Sequence, residues 1–478
     1  MASIRKVLLM GLGGVTALGA GLYVAGLRVE LDGSGSRPMF RFGSRDARDR
    51  AVERSREAQK AAPEAAPAEA DPEVVEAAAK PVAGAPAPVA SPVPAAVDDY
   101  WADFRGPGRR GVYAQTPILT AWPATGLKQL WRQPVGGGYA SFAVAGGTLY
   151  TIEQRRSKEV VAAYDAATGK EKWTNAWDAD FREAMGGDGP RATPVWHEGR
   201  VYAQGAEGEL RVIDASSGAT VWRKNILQDN GARNLTWGMS NSPLIVDEKV
   251  IVTPGGAGGR SVVAYHKGTG ARIWGALDDQ AAYTSPMLVE LAGKRQVLVV
   301  TAKRAVGLDP ADGKLLWEFP WVTQYDVNSA QPILVGPDRF FISAGYGHGA
   351  ALVQVGAGGA KAVWENNRMK NRFNSSVLYE GHVYGMDEAI LACIDVATGE
   401  LKWKGGRYGY GQLLLSGDNI VVLAESGELA LVKATPEGHR EVAKFPALDG
   451  KTWNHPAMSG GNLYVRNTSE MAAFRIAP

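Results

Sequence analysis

Seven times along this chain a short turn is followed by a strand, six of them closing on a Trp at fixed spacing, and no other feature restricts the fold as much. Five copies are complete or nearly so. YDAATGKEKW carries Asp165, Thr168, Gly169 and Trp173, and IDASSGATVW carries Asp214, Ser217, Gly218 and Trp222. YHKGTGARIW keeps Thr269, Gly270 and Trp274 with His266 in the Asp position. LDPADGKLLW supplies Asp309, Gly313 and Trp317, and IDVATGELKW supplies Asp395, Thr398, Gly399 and Trp403. Two copies are worn: VGAGGAKAVW keeps its glycines and Trp364, and KATPEGHREV keeps Gly438 with Val442 in place of the Trp. Asp and Thr side chains bond neighbouring amides and Gly takes positive φ, so each copy is the turn of a β-hairpin. Ahead of each turn lies another pair of apolar runs, such as TPVWHEGRVYAQG (193–205). Each repeat therefore holds four strands, which is the build of a propeller blade.

The count predicts a closed ring. Trp131, in LKQLWRQPV, precedes the first full repeat and has no turn before it, while the last segment ends at EMAAFRIAP without a closing Trp strand. The two halves complete one another. Closing positions then fall at 131, 173, 222, 274, 317, 364, 403 and 442, giving an all-β, eight-bladed β-propeller of four-stranded blades over 98–478. Closure removes exposed sheet edges. The repeat residues Trp131, Trp173, Trp222, Trp274, Trp317, Trp364 and Trp403 read as structural.

Two further regions precede this body. In 1–28, Arg5 and Lys6 lead into an uncharged run from Val7 to Leu27, long enough for a single transmembrane helix of roughly 20 residues. The basic pair would stay in the cytoplasm, so the expectation is an inner-membrane, single-pass chain with its propeller in the periplasm. The stretch 29–97 reads as a linker. Its first part, RDARDRAVERSREAQK (45–60), is predicted as a short solvated helix with too few apolar residues to bury a face. The Ala/Pro-rich remainder is predicted to be a disordered spacer.

Composition excludes several classes. A net charge of +2 offers no field for nucleic acid. The single cysteine, Cys393, allows neither an internal disulfide nor a Cys-rich zinc site. The six histidines show neither H-x-H nor H-E-x-x-H spacing.

The turn-plus-Trp unit resembles the repeat of the pyrroloquinoline-quinone (PQQ) dehydrogenase-like propellers, and WADFRGPGRRGVY (101–113) resembles the segment that precedes such propellers in bacterial envelope proteins. The resemblance implies either a PQQ- and calcium-dependent quinoprotein dehydrogenase or a non-catalytic, BamB-type scaffold. Adjacent cysteines over the quinone, found in many of those enzymes, are missing here, and no Glu/Asn/Asp calcium set is recognisable. The expectation is therefore no enzyme, no cofactor and no metal: a membrane-tethered scaffold for other envelope or membrane proteins, with an envelope carbohydrate- or peptide-binding module as a further alternative. The segments that open the blades are rich in Tyr, Asn, Ser and Gln. Tyr139, Arg191, Trp237, Asn241, Tyr283, Gln331, Asn374, Gln412, Trp453 and His455 are predicted to form a binding mouth at the central funnel. The plainer role for the same positions is to end loops and start strands.

Overall fold

The computed structural model describes residues 27–33, 37–42, 44–61 and 100–478. Residues 7–26 of the apolar run and the Ala/Pro-rich tract beyond Ala61 lie outside the described residues, while Leu27 and Arg28, placed with the transmembrane helix by the sequence, belong to a strand. Among the described residues no helix is long and apolar enough to cross a membrane.

From the amino end the elements are a hairpin of β1 (Leu27–Leu31) and β2 (Pro38–Phe42), helix α1 (Arg45–Ala61), the short strand β3 (Val112–Tyr113) and strand β4 (Lys128–Pro134). The rest is a ring of eight antiparallel sheets. Seven blades are continuous in sequence, at 143–178, 195–225, 244–276, 287–320, 333–366, 377–407 and 412–446. The eighth combines three carboxyl-terminal strands (457–475) with β4, which pairs antiparallel to Glu470–Arg475. The ring is thus clasped by the two ends of the propeller sequence, as the count requires. β3 adds a parallel strand to the seventh blade.

Every outermost strand carries the same register shift beside its closing residue. That irregularity sets each Trp opposite a residue of the strand inside it, for example Trp173 opposite Ala163 and Trp131 opposite Ala473. The indoles then lie on the turn glycine of the next blade. A Cβ on Gly169 would meet the Trp131 ring at 2.7 Å, and Gly218, Gly270, Gly313 and Gly399 are covered in the same way by Trp173, Trp222, Trp274 and Trp364. Five of these indoles also donate Nε1–H to a turn carbonyl, at 2.9–3.1 Å, as Trp131 does to Ala166.

The worn repeats depart from this rule. Trp317 faces the VGAGG turn, and Gly359 there has nothing packed on it. Its indole instead bonds Gln296 Oε1 at 2.5 Å within its own blade. In the seventh blade Ala443, not Val442, takes the Trp register, because the bulged residue of this outermost strand is Val442 itself, one place later than the alignment of the copies implies. Val442 is 43% exposed. Phe445 does the docking, against Gly126. Gly126 lies in a turn closed by its amide on Pro123 O at 2.8 Å. So Trp131 does have a turn before it; the turn was unreadable because the strand that should enter it comes from the other end of the chain.

Helix α1 is not the solvated helix that its charge suggests. Asp49, Val52 and Arg56 are buried against the seam between the eighth and first blades. Arg56 donates to Pro134 O at 2.9 Å and Glu171 Oε2 at 3.1 Å, and Arg156 donates its amide to Asp49 at 3.2 Å. The buried face is mostly polar, so apolar periodicity does not reveal it. It meets a buried charge cluster. Burial alone would raise the Glu153 carboxyl, but Arg155, Arg466 and Arg56 outweigh it and hold the group at about 2.

Candidate binding mouth

The central channel is stopped at one end by the segment between Trp101 and Tyr113. Arg105 and Arg109 are 1% and 2% exposed. Arg109 pairs with Asp103 at 2.9 Å and donates to Ser242 O and Pro286 O of the third and fourth blades at 3.0 and 2.7 Å. Arg105 reaches the other side of the ring, donating to Ser376 O at 2.9 Å and to His455 Nε2 at 3.3 Å. Burial, together with the Arg105 charge, holds His455 well below the usual histidine range, so its ring is neutral and can accept. Phe104 lies edge-on to His455 at 5.3 Å and forms part of the floor.

Above that floor opens a cavity of about 490 Å³. Tyr139, Arg191, Trp237, Tyr283, Gln331, Gln412, Trp453 and His455, eight of the residues picked from the blade openings, line it. Asn241 and Asn374 do not. Their amides point sideways: Asn241 donates to Ala282 O and Thr284 O of the neighbouring blade at 2.9 and 2.7 Å, and Asn374 to Gly411 O at 3.4 Å. Both are buried staples between blades. Gln331 and Gln412 share that duty. Gln331 brackets Ser285 through its N–H and C=O, and Gln412 donates to Phe373 O and Trp453 O. The plainer reading therefore holds for the amides, and the aromatic and arginine side chains are what the cavity presents.

Those side chains form two clusters. Trp453 stacks on Tyr139 at 5.4 Å and meets Phe373 at 4.6 Å. Trp237 leans on Tyr283 at 5.8 Å. Arg191 lies over the rings of Phe181 and Tyr139, at 4.9 and 5.4 Å, and donates to Gly187 O at 2.6 Å. Burial pulls its pKa down. On the opposite wall Arg372 lies over the rings of Tyr346 and Tyr410, at 4.5 and 5.0 Å, and pairs with Glu388 at 2.9 Å.

Sequence reasoning missed Arg372, Phe373, Tyr346 and Glu425. Phe373 opens the FNSS segment (373–376) and Arg372 precedes it, so both were within reach of that signal. Glu425 was not, because it sits in a turn between two inner strands of the seventh blade. It accepts from Trp453 Nε1 at 2.8 Å and from the Tyr410 amide at 3.2 Å.

A calcium–quinone pair needs several oxygen donors converging on one point. Among the described residues no group of three or more His, Cys, Asp or Glu side chains could hold a metal ion. The cavity wall supplies rings, guanidiniums, hydroxyls and amides, with Asp32 as its single carboxylate. These residues do not fit that cofactor.

The profile of the family described as outer membrane protein assembly factor BamB matches residues 118–233 and 157–405. BamB of Burkholderia pseudomallei is 23% identical over 298 residues, covering 54% of this chain and 74% of that protein. The quinohemoprotein alcohol dehydrogenase of Comamonas testosteroni is 31% identical over 147 residues, which are 29% of this chain and only 19% of the dehydrogenase. In structure, BamB of Moraxella catarrhalis aligns with a TM-score of 0.53 at 16% identity over 73% of this chain and 98% of that one. The Comamonas dehydrogenase aligns with a TM-score of 0.60 at 14% identity over 78% and 80%. BamB and the dehydrogenase are thus both near in fold. The family profile takes in more than half of the length, and the chain belongs to the outer membrane protein assembly factor BamB family.

Proposed function

We propose that this chain is a non-catalytic envelope scaffold, tethered to the inner membrane by its amino-terminal apolar run, with its propeller in the periplasm and its mouth directed at protein partners. One observation carries the reading: the cavity is walled by stacked aromatic rings and half-buried arginines, and Glu425, behind Trp453, is already engaged by Trp453 and Tyr410. Rings give contact area with little entropy loss and arginines give direction, which is the make-up of a protein-binding hot spot. The eight-bladed body supplies a rigid mount for it.

The test uses the full-length chain in its own cells. A photo-crosslinking residue at Tyr325, 71% exposed on the cavity rim, is expected to capture an envelope or membrane protein. Capture should fall when Trp237 and Trp453 are both changed to Ala. Equal capture with and without that pair removes the mouth as the contact surface. Calorimetric titration with PQQ and calcium separates the dehydrogenase reading: micromolar binding would reverse the non-catalytic assignment.

A further inference from the structure

The mouth already holds a piece of polypeptide. The tip of the β1–β2 hairpin, Asp32 and Gly33, lies among the residues that line the cavity. Gly33 is buried. Its amide donates to Glu425 Oε1 at 2.6 Å, and its carbonyl accepts from Arg372 Nη1 at 2.8 Å. Both polar groups of one residue's backbone are therefore matched by side chains of opposite charge. Glu425 is fixed for this by Trp453 Nε1 and the Tyr410 amide, and Arg372 by Glu388 and its two tyrosine rings.

The fit selects glycine by space. A Cβ on Gly33 would overlap the Tyr410 side chain, meeting its Cβ at 2.6 Å and two ring carbons closer still. Tyr410 is 3% exposed and bonds Glu388 through its hydroxyl at 3.2 Å, so it cannot swing away freely. Asp32 shapes the tip, its amide donating to Arg37 O at 2.9 Å and its Oδ1 accepting from the Arg37 amide at 3.3 Å. The hairpin is no part of the propeller sheets; its strands pair with each other. It is kept close by α1, which begins just after β2 and is bonded to the blade seam.

We propose that Glu425, Arg372 and Tyr410 form a docking site for a glycine-bearing backbone turn of a polypeptide, filled in cis by Asp32–Gly33 and open to a partner's turn only when that tip leaves. The inference deepens the scaffold reading, on which it rests, by naming the partner element the mouth takes. A charged pair that grips the two peptide groups flanking one residue reads backbone, and the ring beside it excludes side chains, so the recognised feature is a tight turn with glycine at its tip. The tether gives the cis tip an effective concentration on the order of millimolar, which a free peptide must exceed.

The experiment uses the full-length chain and, as probe, a fluorescent synthetic peptide of residues 27–42. Its binding is read by anisotropy to the wild type and to Gly33→Val, which should lose the cis contact. The variant is expected to bind the peptide roughly tenfold or more tightly than the wild type does, as removal of a tethered competitor requires. The same peptide carrying Val in place of its Gly should not bind the variant. Equal binding to both chains, binding to neither, or binding of the Val peptide overturns the proposal. None of those results touches crosslinking at Tyr325, so the scaffold reading stands or falls separately.

Discussion

Trp131 stands opposite Ala473 across the seam of the ring, and its indole lies on Gly169 of the first blade. One side chain therefore joins the carboxyl-terminal strands to the first hairpin. Gly169 has φ +69° and the ring at 2.7 Å, so a methyl group there meets both backbone strain and overpacking. Gly169→Ala is expected to cost about 2–4 kcal/mol in urea unfolding. Gly438→Ala, in the worn turn where nothing lies within 4 Å, should change stability by less than about 0.5 kcal/mol. Equal effects would mean that the Trp-on-glycine contact is not what holds the blades together.

Helix α1 should behave as a clamp on that seam. Arg56 is 6% exposed and joins Glu171 and Pro134 O to the helix. Arg56→Ala leaves polar partners without their donor and is expected to cost about 1–3 kcal/mol. Trypsin should then cut at Arg48, Arg50 and Arg54 well before it cuts the propeller. A digestion pattern unchanged from wild type would remove the helix as a clamp.

Glu159 makes stability depend on pH in the direction opposite to a surface carboxylate. Burial pushes its carboxyl up from 4.5 to about 7. Between those values the folded chain binds more protons than the unfolded one, so stability falls as pH rises from 4.5 through 7. Glu159→Gln keeps an oxygen for the Ala206 amide, which Oε1 now accepts at 2.8 Å. Relative to wild type, the variant should gain about 1–3 kcal/mol between pH 5 and pH 8. A difference that does not change with pH would show that the group does not titrate there.

Staples and mouth residues should separate in mutagenesis. Gln331→Ala strips the partner from the buried Ser285 amide, bonded at 2.8 Å, and should cost about 1–3 kcal/mol. Trp237→Ala removes a half-buried ring from the cavity wall. It should shift the melting midpoint far less while weakening crosslinking at Tyr325. If Trp237→Ala destabilises as much as Gln331→Ala, the ring is structural too.

The ring of eight blades was legible in the sequence because its determinants are local. Asp, Thr and Gly make a turn wherever they stand together, and a Trp at fixed spacing needs one kind of partner, so seven copies imply the sheets and their closure. Eight of the residues that line the cavity were legible for the same reason, since every blade enters the funnel at the same point of its repeat. What the sequence could not reveal depends on residues far apart in the chain. Phe445 replaces a Trp only because Gly126 is brought to it from the other end of the propeller. Asn241 and Asn374 look like their neighbours in sequence, but the direction of each amide is decided by the adjacent blade. The α1 helix shows no apolar stripe, and its docking follows from a charge cluster assembled from both ends of the propeller. The site at Gly33 is the extreme case: a glycine in a short hairpin carries no signal until folding sets Glu425, Arg372 and Tyr410 around it.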